Sequence, residues 1–237
     1  MERVAQPVAQ RVGGSPPTTT GVGGSPPTTQ IDRVAQTVEA YDDAVVAYQK
    51  AWRDRRPLDA VRKFARMAVG ERPRVCDVAC GPALDLRWLR DQGLKVVGGD
   101  LSEQSVQLAK VLFPKGSLAR WDFRRLPFGD RVFDGVWAPA ALQHLPRAQI
   151  RPALAELRRV HRHGPIFLTF REGSSDLAPV EDPPTGTVWA VAVTAEELRA
   201  LLADAGYTDV EIERRPDPLG RADVTWLYGW GLARPLP

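Results

Sequence analysis

The stretch RVCDVACGPALDL, residues 74–86, limits the possible folds more than any other part of the chain. A short apolar run is interrupted by Asp77, ends in small residues and a proline, and gives way to a helical pattern. An acid inside a buried strand is costly unless it is paired, and Gly81 lets the backbone approach another group closely. From Pro73 onward the same unit recurs. Strand 74–79 precedes helix 83–92, and strand 95–100 precedes helix 102–113, which has Ser102 as N-cap. A short strand at 117–122 is followed by strand 132–138, helix 147–162 and strand 165–170. After a loop at 173–193 come helix 194–206, opened by a Thr194/Glu197 capping box, and strands 208–215 and 224–233. Strands alternating with helices of ten to fifteen residues predict an α/β fold with a mostly parallel sheet. The short link between the last two strands suits an antiparallel pair, because a parallel return needs a crossover.

The rest of the chain fits around that core. Its 237 residues, 43% of them hydrophobic, suffice for one sizeable core and not clearly for two. VGGSPPTT occurs at 12–19 and again at 22–29, a composition that cannot bury a core, so residues 1–30 read as a disordered tail. One domain is expected over 31–237, with N-terminal helices in 31–70 and the α/β core in 71–237. In the first helix Val34, Val38, Tyr41, Val45, Tyr48 and Trp52 share a helical spacing that suits core packing. No run approaches the ~20 apolar residues of a membrane span, and the N-terminus lacks an apolar stretch of the signal-peptide kind. A soluble, cytoplasmic protein is the expectation. Cys76 and Cys80 are expected to be reduced and, without a companion His/Cys cluster, to bind no metal. The formal charge is +3, with basic residues interspersed among acids. So diffuse a footprint argues against a nucleic-acid partner. His161 and His163 lie at a helix C-terminus, where imidazolium suits the helix dipole.

Ligands of open α/β sheets sit at the carboxyl ends of the strands, near the first strand-to-helix turn. Asp100 closes the second strand about twenty residues past that turn, where a carboxylate can take both hydroxyls of a ribose. The dinucleotide pattern G-x-G-x-x-G is absent: the matching stretch, Gly81 to Leu86, lacks the second and third glycines and places Asp85 toward the phosphates. A pyrophosphate, and with it a nicotinamide oxidoreductase, is therefore disfavoured. Asp122 ends the third strand, where an acid can accept from an exocyclic amine and the Phe123 N–H can reach a ring nitrogen.

These residues carry a family resemblance. Asp77-Val-Ala-Cys-Gly-Pro-Ala83, the acid of VVGGDLS, Asp122 with LPF at 126–128 and FD at 133–134, LAELRRVHRHGPIFLTF and TAEELRALLADAGYTDVEIE occur in order. Over roughly 35–232 the chain resembles the class I S-adenosylmethionine-dependent methyltransferases. The resemblance implies a Rossmann-like sheet of seven strands, mostly parallel with the last antiparallel, and helices on both faces. It implies S-adenosyl-L-methionine as cofactor, its methionine part held by the main chain around Ala79, Cys80 and Gly81 with Asp77 orienting the amino group. Asp100 would take the ribose, Leu101 would pack on the adenine, Asp122 and Phe123 would read its edge, and Ala138 would contact the methionine side. Two of the family's turn glycines are here Ala79 and Ala83. If either needs a positive φ, alanine strains the turn by of order 1 kcal/mol or more.

Methyl transfer from a sulfonium mainly requires alignment of a nucleophile. A base is needed when the acceptor is protonated, and His144, just after the fourth strand, is the candidate. Tyr41 is a candidate lid residue, and Arg171 borders the 173–193 loop expected to choose the acceptor. That loop is acidic and serves a small-molecule acceptor better than RNA. The competing function is a non-catalytic, methyltransferase-like binding or regulatory module, suggested by the alanines in the turn.

Overall fold

The computed structural model describes residues 32–55 and 57–234. The tail expected at 1–30 lies outside them. Two helices, α1 (Arg33–Trp52) and α2 (Leu58–Met67), precede the alternating core. That core runs β1 (Arg74–Asp77), α3 (Leu86–Asp91), β2 (Lys95–Asp100), α4 (Glu103–Leu112), β3 (Ser117–Arg120), β4 (Gly135–Ala138), α5 (Arg147–Val160) and β5 (Gly164–Glu172). After β6 (Ala178–Asp182), β7 (Gly186–Ala190) and the two-residue β8 (Ala192–Val193) come α6 (Ala195–Asp204), β9 (Tyr207–Pro216) and β10 (Thr225–Ala233). The main sheet has the order β3-β2-β1-β4-β5-β10-β9, with β8 added beside β5. β10 runs antiparallel to both β5 and β9, whereas the pairs from β3 through to β5 are parallel.

Alternation along the strands assigns the two faces. Cys76, Val136, Ile166, Leu168 and Phe170 belong to the cluster that also holds the buried side of α5 and α6. Their neighbours Val75, Trp137 and Phe167 point the other way, into a cluster with Phe64 of α2 and Leu86 and Leu89 of α3. Aromatic rings fill this second layer: Trp137 lies 4.4 Å from Phe167, which lies 4.4 Å from Trp230. Both faces of the central strands are buried, which is why they read as continuous apolar runs. Gly99 in β2 is required by close approach, because a Cβ there would stand 2.3 Å from the Trp121 ring. The Trp121 indole N–H in turn donates to the Val78 carbonyl over 2.9 Å and braces the chain leaving β1.

Three expectations are corrected. The helix after the first turn begins at Leu86, not at residue 83, because Ala83 takes φ +61°, outside the right-handed helical region. The 173–193 segment is not a loop throughout: β6 and β7 pair as an antiparallel hairpin. His161 is no exposed imidazolium completing a helix dipole. It is fully buried under α5, and burial, with Arg158 nearby, pushes its pKa down to about 3.

A folded-state pKa below the ordinary 6.5 means that the unfolded chain binds the extra proton between those values. The associated stability is complete above pH ~6.5 and is lost as pH falls toward 3. Replacing His161 by Phe removes that dependence. Urea titrations should show the variant gaining on wild type by on the order of 2 kcal/mol between pH 7.5 and pH 5. A gap that stays constant with pH would mean that the imidazole titrates normally in the fold.

Candidate functional site

The carboxyl edge of the sheet opens into one cavity, floored by the first two strand-to-helix turns. Asp77, Ala79, Cys80 and Gly81 line it from the first turn, and Asp100 and Leu101 from the second. Gly81 has φ +52°, and a Cβ on it would project toward the Tyr48 ring, 3.9 Å away, so glycine keeps this part of the cradle open. The turn is pinned from below by Cys80 N–H donating to the Gly99 carbonyl at 2.9 Å.

Asp100 connects the two turns. Its Oδ2 accepts from Gly81 N–H at 2.8 Å and its Oδ1 from Ser102 N–H at 2.9 Å. Burial raises its pKa above the usual carboxylate range, and those backbone donors act against the rise. Cys80 is buried, and the same desolvation, with Asp77 and Asp100 close by, pushes its thiol well up. A protonated thiol is a poor nucleophile, so Cys80 serves as cavity wall.

The roof comes from α1. Asp32 caps the helix by accepting from Val34 and Ala35 N–H. Ten residues on, Asp42 accepts from the Ser102 hydroxyl and from Gln104 N–H at 3.1 Å, which fastens the helix to the start of α4. Thr37 Oγ accepts from Trp189 N–H at 3.0 Å, and Arg33 lies 3.9 Å over the Trp189 ring, which fastens it to the β6–β7 hairpin. Tyr41, Tyr48 and Trp52 line the cavity, so their helical spacing builds a cavity wall instead of an ordinary core face.

His144 ends a single 3₁₀ turn, Leu142–His144, beyond β4. Its Nδ1 contacts the Trp189 carbonyl at 2.8 Å and its Nε2 the Tyr41 hydroxyl at 3.3 Å. Burial holds its pKa below that of an ordinary imidazole.

Nine candidates therefore meet in one cavity: Tyr41, Asp77, Ala79, Cys80, Gly81, Asp100, Leu101, Phe123 and His144. Three others stand outside its lining. The Asp122 carboxylate is gripped by the Arg124 guanidinium at 2.6–3.0 Å. Burial pushes that carboxyl up, and the Arg124 bonds outweigh it and hold it below the usual range. Ala138 is fully buried behind Pro139, Ala140 and Ala141, which line the cavity instead. Arg171 lies behind Asp182 and donates to its Oδ1 at 2.7 Å. Of the turn alanines, Ala83 does adopt a positive φ, whereas Ala79 does not. Sequence reasoning missed Trp226 and Tyr228 of β10, which also line the cavity. Their i, i+2 spacing marks one face of a strand, but nothing local says that this face ends at a cleft.

Asp42→Ala should remove both contacts between α1 and α4 at a cost of about 1–2 kcal/mol. Hydrogen exchange should then accelerate at the amides of α1 while those of β1 and β4 stay protected. Unchanged protection in α1 would show that the aromatic contacts alone hold the helix.

The family described as "Methyltransferase domain" matches residues 75–164, the span from β1 to the start of β5. An uncharacterized methyltransferase of Synechocystis is 29% identical over 157 residues, 61% of this chain and 71% of that protein. A malonyl-[acyl-carrier protein] O-methyltransferase of Enterobacter lignolyticus is 33% identical over 125 residues, 53% of this chain; the chain spans 48% of that relative's length. Among solved structures, the 1,6-didemethyltoxoflavin-N1-methyltransferase of Burkholderia thailandensis, with bound S-adenosylhomocysteine, superposes with TM-score 0.64 at 19% identity. That match covers 84% of this chain and 88% of the neighbour.

Proposed function

Because the chain belongs to the class I S-adenosylmethionine-dependent methyltransferases, we propose that it transfers a methyl group from S-adenosyl-L-methionine to the O, N or C atom of a small molecule. The observation that carries this is the row of acids and open backbone along one cavity: Asp77 and the Gly81 cradle at the first strand-to-helix turn, and Asp100 at the second. The cofactor supplies a methyl group already activated on a sulfonium. The protein's part is to hold, orient and exclude water.

Asp100 is the ribose ligand. Its oxygens accept from the Gly81 and Ser102 N–H groups, and the carboxylate's further acceptor capacity serves the sugar hydroxyls. Leu101 and Phe123 flank the base, and reading of its edge falls to the Phe123 main chain, because Arg124 already occupies Asp122. Asp77 meets the amino group, and the main chain at Ala79, Cys80 and Gly81 follows the methionine part. On the methionine side, Pro139–Ala141 take the place assigned to Ala138. The aromatic wall of α1 covers the transfer site. A non-catalytic module draws no support from the alanines, since Ala79 keeps an ordinary φ and Ala83 lies outside the lining. Both cysteines are free and buried, as suits a cytoplasmic enzyme, and among the described residues no helix is long and apolar enough to cross a membrane.

Calorimetry with S-adenosylhomocysteine tests the assignment. Wild type should bind, and Asp100→Ala should weaken binding by ~10–100-fold through one or two lost charge-assisted bonds. Asp100→Asn, which keeps the shape of the turn, should lie between the two. Wild type that fails to bind, or Asp100→Ala that binds as well as wild type, would reject the ribose assignment.

A further inference from the structure

The acceptor end of the cavity has a directional chemistry of its own. A carbonyl only accepts, so the 2.8 Å contact with Trp189 O fixes the His144 proton on Nδ1. Nε2 is left as a lone pair, and the Tyr41 O–H donates to it. The Gln143 amide N–H₂ stands 3.4 Å from the same nitrogen, while Gln143 Oε1 is buried with no hydrogen-bond partner among the described residues. Gln143 is 2% exposed and, like His144, lines the cavity. Two residues of the cavity lining thus carry acceptor atoms suited to a donor, one of them, Nε2, paired with Tyr41.

The surrounding charge is balanced. Asp182, on the cavity wall, accepts from Arg171 at 2.7 Å and from Arg221 at 3.3 Å, and Arg221 also holds Asp217 at 2.8 Å. Within this cluster two carboxylates balance two guanidiniums, so it offers no net charge to an ionic acceptor, which would lose its hydration there without a partner; Arg55, a cation on the cavity lining, is exposed to water. Aromatic rings from separate elements, Tyr41, Tyr48 and Trp52 on α1 and Trp226 and Tyr228 on β10, favour a flat apolar body. A neutral amine already offers its lone pair. A phenol is a weak nucleophile until its proton is taken, and a fixed imidazole lone pair is built for that task.

We propose that this end of the cavity takes an uncharged planar aromatic acceptor bearing a phenolic hydroxyl, and that His144 Nε2 is its general base. The inference rests on the methyl-transfer reading above. The O–H bond breaks toward Nε2. The oxygen pair forms the new O–CH₃ bond as the S–CH₃ bond breaks and its electron pair returns to sulfur. His144, now imidazolium, passes its proton to water. Until an acceptor arrives, Tyr41 satisfies the lone pair. The charged groups facing His144 are Asp182 from β6, which favours the imidazolium, and Arg171 from β5, which opposes it; Tyr41 faces it from α1. Burial is the larger influence, so the imidazole stays neutral, and the acid limb of the rate profile should lie below pH 6.5.

The test uses the full chain saturated with S-adenosylhomocysteine and three probes of one shape: 2-naphthol, 2-naphthoate and 2-naphthylmethylamine. 2-Naphthol should bind about tenfold tighter than either charged probe at pH 7.5, and His144→Gln should forfeit about tenfold of that affinity. With labelled S-adenosylmethionine, the variant's kcat toward 2-naphthol should fall by ~10²–10⁴-fold and lose the acid limb. Tighter binding of a charged probe, or indifference of both affinity and rate to His144→Gln, would overturn the proposal. S-adenosylhomocysteine binding without 2-naphthol binding sinks this inference alone, whereas failure to bind S-adenosylhomocysteine sinks the methyl-transfer reading beneath it. Should His144→Gln fail to fold, Tyr41→Phe decides. It frees Nε2 and should preserve 2-naphthol affinity, and an approximately tenfold loss would assign the contact to the tyrosine hydroxyl and remove the base role.

Discussion

The Asp100 carboxylate holds the cavity together. It lies at the end of β2 and spans two turns, taking Gly81 N–H on one oxygen and Ser102 N–H on the other. Ser102 is itself the N-cap of α4, its hydroxyl accepting from Ser105 N–H at 2.9 Å and donating to Asp42 of α1. The relay Gly81–Asp100–Ser102–Asp42 therefore joins the floor of the site to its roof. A half-buried carboxylate is stable only where such donors repay its lost hydration. The same burial leaves its remaining lone pairs in a medium where a sugar hydroxyl would be gripped more strongly than in water. Stability and ligand affinity thus draw on a single group.

Backbone strain collects along the same rim. Ala83 and Ala140, with φ of +61° and +53°, occupy a region that costs a non-glycine residue roughly 1–3 kcal/mol. Each is held by a bond from outside its own residue pair. Ala83 N–H donates to the Cys80 carbonyl at 3.0 Å, and Ala140 N–H to the Thr169 hydroxyl of β5 at 2.8 Å. The reward is direction. The left-handed bend at Ala140 turns the chain leaving β4 so that Ala141, Gln143 and His144 face the cavity and not the helix layer. Alanine at position 83 does not close the cleft, because Ala83 lies outside the cavity lining, whereas Ala140 forms part of the wall.

How much of this was legible in the sequence depended on how local the cause was. The succession of strands and helices and the antiparallel last strand follow from alternation and connection length, which are properties of neighbouring residues. Asp77, Gly81 and Asp100 could be read because an acid or a glycine at a strand end contradicts its surroundings. Asp122 misled for the same reason: it sits where an acid is expected, but Arg124, two residues on, claims it. His161 misled because a histidine at a helix end looks exposed until α5 and Tyr207 are packed around it. The α1 stripe could not be settled at all. Tyr41, Tyr48 and Trp52 would show one periodicity whether they faced a core or a cleft, and only the distant contacts of Asp42 and Thr37 decide between the two.

The ion pairs at the far wall need a reason other than stability, since a buried pair seldom outperforms apolar packing of the same volume. Arg171 projects from β5, Asp182 from the hairpin, and Asp217 and Arg221 from the turn between β9 and β10. Asp217 also accepts from the Trp226 indole at 2.8 Å, and bonds from Arg221 help hold its pKa at about 2 against the upward push of burial. Three segments of the chain are thereby set in one register. Hydrophobic contacts would let the hairpin slide, whereas charge-assisted bonds of fixed geometry do not. With the hairpin fixed, the Trp189 carbonyl is fixed, and with it the His144 tautomer. The network reaches the chemistry by deciding which imidazole nitrogen keeps its lone pair.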